Sequence, residues 1–252
     1  MNHLNRPLDD TLVDVRNTEA PSSLVVVCEH ASSKIPKYFS DLGLSGEVLK
    51  SHIAWDLGAL PLAERLADRL DATLIAAKTS RLVYDCNRPP EARDAMPERS
   101  EITDIPGNAN LSAAQKSDRI TTYYEPFRQA VSQAVAELDE PILITVHSFT
   151  PIYHGARRDV EIGILHDTDT RLADALLSAA DADHIVRRNE PYGPDDGVTH
   201  TLKEHALPGG FLNVMLEVRN DLVADDASQS AMADTLSAWI KRALASLEAA
   251  TC

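Results

Sequence analysis

Five stretches of the chain carry residues able to do chemistry. They are Cys28-Glu29-His30-Ala31-Ser32-Ser33, Asp56, Ser80-Arg81-Leu82-Val83-Tyr84-Asp85-Cys86-Asn87-Arg88-Pro89, His147-Ser148-Phe149 and Glu217-Val218-Arg219-Asn220-Asp221. Histidines and carboxylates are the donors of a hydrolytic zinc site, which takes three from the protein and leaves one position for water. Such a site also needs a carboxylate that is not a strong ligand, to accept a proton from that water. An arginine can place a permanent positive charge where an oxyanion develops. An asparagine with a second arginine can clamp a substrate carboxylate. All of these residue types stand in the five stretches.

Taken alone, each feature has an ordinary structural explanation. A histidine after a strand is more often a satisfied structural residue than a ligand, and Asp56 would suit a helix cap. Glu217 with Arg219 could form a surface ion pair, and Asn87-Arg88-Pro89 a turn. Ser148 beside His147 invites a serine-nucleophile reading. Neighbours on an extended segment point to opposite faces, however, and no G-x-S-x-G elbow is present. The combination carries the chemical reading.

The elements that must position these residues show in the apolar pattern. Continuous runs at 24–28, 73–77, 142–146, 161–165 and 211–218 predict strands covered on both faces. Leu57, Leu60, Leu62, Leu66 and Leu70 give a helical stripe, with Asp56 as its possible N-cap and Pro61 in the first turn. Further helices are predicted over 112–138, which Ser112 would cap, over 170–180, and along the stripe from Met232 to Leu247. Strands alternating with helices predict an α/β fold, a mostly parallel or mixed sheet with helices on both faces. One catalytic domain spans residues 1–252 in this reading, with 1–21 as an irregular N-terminal arm. In such sheets ligands bind outside the carboxyl ends of the strands. Residues 89–111 and 189–198 are rich in turn formers and longer than simple connections require.

Composition narrows the partners. The 252 residues are 44% hydrophobic and 25% charged, which is ordinary globular composition, and 24 basic against 39 acidic residues give a net charge of −15. Phosphates would be repelled over most of such a surface, so nucleic acid is not expected, whereas arginines inside a cleft can still dominate locally for a small anion. No run approaches the ~18 apolar residues of a membrane span. Three cysteines without framework spacing, and an N-terminus without the apolar segment of a signal peptide, predict a cytoplasmic protein. The oligomeric state is left open.

Taken in order, the motifs resemble those of the N-formylglutamate amidohydrolases, from about Val25 to about Leu222. Cys-Glu-His-Ala-Ser-Ser-Lys-Ile-Pro (28–36), Ala-Trp-Asp-Leu-Gly (54–58) and Ser-Arg-Leu-Val-Tyr-Asp-Cys-Asn-Arg-Pro (80–89) carry the resemblance. His-Ser-Phe-Thr-Pro (147–151) and Leu-Glu-Val-Arg-Asn-Asp-Leu (216–222) continue it. It implies kinship with zinc carboxypeptidases and aspartoacylase-like deacylases, and a three-layer α/β/α, phosphorylase/hydrolase-like fold. It also implies one Zn2+ per chain, a small anionic N-acyl amino acid as substrate, N-formyl-L-glutamate being the named one, and a place in amino-acid catabolism such as histidine degradation. His30 and His147 would match the first and last zinc ligands, Glu217 the general base and Arg81 the oxyanion-stabilising arginine. Asn87 with Arg88 would match the carboxylate-binding pair.

One position departs from that pattern. The related peptidases place a glutamate three residues after the first zinc histidine, where this chain has Ser33. Asp56, which follows an apolar segment and opens a helix, is the expected replacement. Glu29 is the alternative, weakened because it should point away from His30, and a two-histidine site completed by water is a third. A non-catalytic relative binding an acidic amino acid or peptide, and a deacylase for a different acyl group, stand as other functions. Tyr192 is expected at the substrate; Arg157, Arg158 and His200 lie in turn-rich regions and could equally line the pocket or the surface.

Overall fold

A computed structural model describes residues 12–251. Each predicted apolar run forms a strand. These are β2 (Leu24–Cys28), β3 (Thr73–Ala77), β6 (Ile142–Phe149), β9 (Ile162–Leu165) and β11 (Asn213–Arg219). Two further strands, β1 (Val13–Arg16) and β10 (Val186–Arg188), complete a seven-stranded sheet in the order β1-β3-β2-β6-β11-β9-β10. β1 corrects the expectation of an irregular arm over residues 1–21. It is a four-residue edge strand, antiparallel to β3, with only Val13 buried, too little apolar signal to stand out. Residues 1–11 of that arm lie outside the described residues.

The four central strands β3, β2, β6 and β11 run parallel, so their carboxyl ends share one edge. Direction reverses at β11, where β9 pairs antiparallel, and β10 follows β9. Two small hairpins stand apart from the sheet, β4 (Arg99–Ser100) with β5 (Thr103–Asp104), and β7 (Ile152–Tyr153) with β8 (Ala156–Arg157).

Alternation along the strands builds a core on each face. Val26, Cys28, Ile144, Val146, Leu216 and Val218 pack with Leu62 and Leu66, Leu172 and Leu176, and Trp239 and Ile240. Those partners belong to α2 (Ala59–Leu70), α5 (Arg171–Ala179) and α7 (Asp226–Thr251), which form one outer layer. Val25, Val27, Leu143 and Met215 face the other way, onto Tyr84, Phe127 and Val131. There the cover is a nearly continuous helical stretch, α3 (Ala113–Arg119) passing through one π turn into α4 (Glu125–Ala136), joined by the short α6 (His200–His205). A short α1 (Gly46–Leu49) lies ahead of α2. The predicted cap at Ser112 forms: its hydroxyl accepts from Gln115 N at 3.2 Å, while the Gln115 side chain accepts from Ser112 N at 2.9 Å. The result is a three-layer α/β/α architecture on a mixed, mostly parallel sheet. No helix among the described residues is long and apolar enough to cross a membrane.

Gly163 on β9 shapes the edge of the fold nearest the chemistry. A Cβ there would lie 2.0 Å from the carbonyl oxygen of Glu190, so only glycine lets the 189–198 segment pass this close to the sheet. Gly163→Ala is expected to destabilise the protein by about 1–3 kcal/mol through overpacking. Gly46→Ala, with nothing within 4 Å of the added carbon, serves as the control and should stay within about 0.5 kcal/mol. Urea denaturation of both variants decides the point.

Candidate active site

Strands β2 and β6 are neighbours, so the residues at their carboxyl ends meet. His30 lies two residues beyond β2, and His147 lies within β6, its ring centroid 4.7 Å from that of His30. Their Nδ1 atoms are 3.1 Å apart. Asp56 joins them: its backbone N–H donates to the His30 carbonyl at 3.0 Å. Its Oδ2 lies 3.2 Å from His30 Nδ1 and 2.9 Å from His147 Nδ1. All three side chains are buried. Asp56 does not cap α2. Gly58 occupies that position, at φ +81, and a Cβ there would meet the Val223 carbonyl at 2.4 Å.

The outward nitrogens of the two rings are held by carboxylates. His30 Nε2 donates to Asp85 Oδ1 at 2.7 Å, and His147 Nε2 lies 3.1 Å from Glu29 Oε2, an ion-pair contact bent away from ideal hydrogen-bond alignment. Glu29, the alternative third ligand, therefore stands behind His147 instead of beside its Nδ1. It follows the same alternation as Val25 and Val27, which puts it on the face of the sheet that His147 shares with Leu143. Asp85 was not singled out from the sequence, although it sits two residues before Asn87 in the motif. A carboxylate at Nε2 keeps the proton there and leaves the Nδ1 lone pair facing inward. Burial works against charge on His147, but Glu29 and Asp56 outweigh it and hold the ring's pKa well above its ordinary value. Burial likewise opposes ionisation of Asp85, and Arg81 with His30 overcomes it, keeping that carboxyl well below the usual range.

Glu217 reaches the same place from β11. Its register partner on β6 is His147, and on β9 the residue opposite is Gly163, which offers no side chain. Glu217 is 5% exposed and its Oε2 has no hydrogen-bond partner among the described residues. Burial, reinforced by the Asp56 charge, raises the Glu217 carboxyl above the ordinary carboxylate range.

Arg81 Nη2 donates to Asp85 Oδ2 at 2.7 Å and Nη1 approaches Asp56 Oδ1 at 3.5 Å, which leaves its remaining donors toward a cleft of about 380 Å3. Asn87 and Arg88 line that cleft too, partly committed to the 194–201 segment. Asn87 Oδ1 accepts from Thr201 N at 3.1 Å and its amide donates to the Val198 carbonyl. Arg88 is fixed by Asp94 at 2.6 Å and by the Gly197 carbonyl at 2.9 Å; Nη2, with a single 3.5 Å contact to the Asp196 carbonyl, is its least engaged nitrogen. Tyr192 lines the cleft with its hydroxyl accepting from Arg158 Nη2 at 3.0 Å, and Arg158 stacks on Tyr153 and Tyr192 at 4.3 and 4.9 Å. Arg158 thus braces the wall from behind. Arg157 is exposed, and His200 bonds Tyr124 at 2.8 Å; neither lines the cleft. Ser148 Oγ donates to the Leu57 carbonyl at 2.7 Å, so no serine–histidine pair forms.

Fold and site together define an α/β enzyme scaffold with a buried histidine–carboxylate cluster at the carboxyl ends of its parallel strands. Residues 22–224 match the family model of the N-formylglutamate amidohydrolases. The chain belongs to the N-formylglutamate amidohydrolase family. It is 53% identical to a gene product of Agrobacterium tumefaciens whose crystal structure superposes with a TM-score of 0.93, covering 94% of this chain and 96% of that one. The N-formylglutamate amidohydrolase from Ralstonia eutropha shares the fold, with a TM-score of 0.66 at 19% identity over 92% of this chain and 97% of that one. A comparison with curated proteins finds no match.

Asp85 joins two groups that have no other carboxylate as close, the His30 Nε2–H and the Arg81 guanidinium. Asp85→Ala strands both, and the loss expected is on the order of 3 kcal/mol. A urea midpoint equal to that of the unsubstituted protein would show that Asp85 holds neither.

Proposed function

We propose that this protein is a zinc-dependent amidohydrolase that releases the acyl group from an N-acyl amino acid, N-formyl-L-glutamate, as one catalytic domain in the cytoplasm. The observation that carries the reading is the convergence of His30 Nδ1, His147 Nδ1 and Asp56 Oδ2, separated by 2.9–3.2 Å. A tetrahedral zinc site with bonds near 2.0–2.1 Å spaces its ligand atoms by roughly 3.3 Å. Both rings also present the nitrogen opposite a carboxylate, the usual backing of metal-bound histidine. The donor set therefore fits one zinc ion per chain, with Asp56 as the third ligand.

Zinc at this position supplies Lewis acidity to the scissile carbonyl and to the attacking water. The remaining work falls to side chains. Glu217 accepts the water proton at its unpartnered Oε2 and returns it to the departing amine nitrogen. Arg81 donates to the oxyanion as the carbonyl becomes tetrahedral, while Asp85 and Asp56 keep its guanidinium from swinging away. Arg88 Nη2, on a side chain already fixed by Asp94 and the Gly197 carbonyl, meets the substrate carboxylate with Asn87 beside it. The Tyr192 hydroxyl accepts from Arg158 and so keeps its own proton to donate to substrate. Family membership and the Ralstonia relative's name support N-formyl-L-glutamate.

Metal analysis of the purified protein should give about one zinc per chain, lost in His147→Ala. Glu217→Gln preserves shape and should keep the zinc while turnover of N-formyl-L-glutamate drops by about 10²-fold or more. Wild-type turnover in that variant would remove Glu217 from the proton transfers.

Substrate recognition has its own test. Lysine cannot bond Asp94 and the Gly197 carbonyl and still present a further donor to the substrate, as the Arg88 guanidinium does. Arg88→Lys should therefore raise the Michaelis constant for N-formyl-L-glutamate much more than for a carboxamide analogue. Equal effects on acid and amide would return Asn87-Arg88-Pro89 to the role of a structural turn.

A further inference from the structure

The residue before His30 takes no part in the proton transfers above, and it is the more deeply buried of the two. Glu29 is 1% exposed, and among the described residues neither carboxylate oxygen meets a donor in good alignment, His147 and Thr201 being the side chains that face it. A carboxylate withdrawn from water at this depth costs several kcal/mol unless a positive or strongly donating group faces it. Its charged partner is the His147 ring, whose Nε2 stands 3.1 Å from Oε2. On the opposite edge of that ring, Nδ1 faces Asp56 Oδ2 at 2.9 Å and His30 Nδ1 at 3.1 Å. The imidazole thus has a carboxylate beside each of its ring nitrogens.

Resting on the zinc reading, we propose that Glu29 is a positioning residue that fixes the orientation and tautomer of His147, so that Nδ1 is presented as a metal ligand. A neutral imidazole has one N–H and one lone pair, and without a fixed acceptor either nitrogen can carry the proton. With Asp56 and the Nδ1 lone pair both committed to the metal, Glu29 would be the carboxylate left to hold the ring proton, and it would hold it on Nε2. The dipeptide Glu29-His30 then serves both histidines: residue 30 contributes a ligand and residue 29 orients the ligand on the neighbouring strand. Pairing of β2 with β6 brings the two within reach. Asp85 performs the equivalent service for His30 from a separate segment, at 2.7 Å. Both rings are backed, but by residues from different parts of the chain, so one backing can be removed while the other stays.

The test is zinc affinity, measured on purified full-length protein by competition with a chromophoric chelator. Glu29→Gln and Glu29→Leu are compared with the unsubstituted chain, and circular dichroism checks their folding. Loss of an outer carboxylate should weaken zinc binding by about 10- to 100-fold. The glutamine variant keeps the shape and guards against a folding failure in the leucine one. Nitrogen-15 spectra of the histidine rings in the zinc-loaded proteins supply a readout that general destabilisation would not move. The unsubstituted protein should show His147 protonated at Nε2 and zinc-shifted at Nδ1, and the glutamine variant should show that pattern weakened or mixed. Affinities within about twofold of the parent with an unchanged His147 ring pattern would overturn the role of Glu29 while leaving the zinc site standing. An unsubstituted chain that takes up no zinc would overturn the metal reading itself, and the role of Glu29 with it.

Discussion

Two imidazole lone pairs and a carboxylate oxygen, held about 3 Å apart and away from water, repel one another unless positive charge lies among them. That repulsion between His30, His147 and Asp56 is the constraint from which the rest of the site follows. Side chains free to rotate would relieve it by turning away. Here they cannot, because Asp85 and Glu29 hold the rings from outside and a backbone hydrogen bond to His30 ties Asp56 in place. The result is a buried cluster of histidines and carboxylates at the floor of the cleft, with Arg81 bonded to its rim.

The sheet makes such confinement possible. Parallel pairing of β2, β6 and β11 aligns three carboxyl ends, and the register of β6 with β11 sets Glu217 beside His147. A shift of that register by one residue would turn the Glu217 side chain to the opposite face, into the apolar cluster of Leu216 and Val218. The apolar residues on either side of each functional one therefore lock its direction. Reversal at β11 has a further effect. The connection leaving β6 and the strand entering β9 share the active edge, so Arg158 reaches Tyr192 across a short distance.

Much of this organisation was legible in the sequence, and the reasons differ from residue to residue. The five long strands are continuous apolar runs, and burial on both faces writes them plainly. The edge strands β1 and β10 bury little and left no comparable mark. His30, His147 and Glu217 stand at strand ends, where parallel topology gathers chemistry. Asp56 was harder to place, since an aspartate before a helix is ordinarily a cap; Gly58 taking that position is a backbone property that composition does not reveal. In the sequence Asp85 does not stand out at all, and Glu29 stands out only as a possible ligand, for another reason. Their importance lies in which nitrogen of a distant ring they face, and that depends on contacts between segments 55 and 118 residues apart.

The hairpins β4–β5 and β7–β8 reach the cleft without joining the sheet, and both turn in solvent, with Ile102 78% exposed at the tip of the first and His154-Gly155 at φ 48 and 78 in the second. Their lengths can change with little disturbance to either packed core. The fold thus separates two inheritances: the strand ends that hold the buried histidine–carboxylate cluster are bound into the core and slow to alter, whereas the exposed turns at the rim of the cleft are free to drift. Divergence in sequence and length among descendants of this scaffold would accumulate first in those two turns.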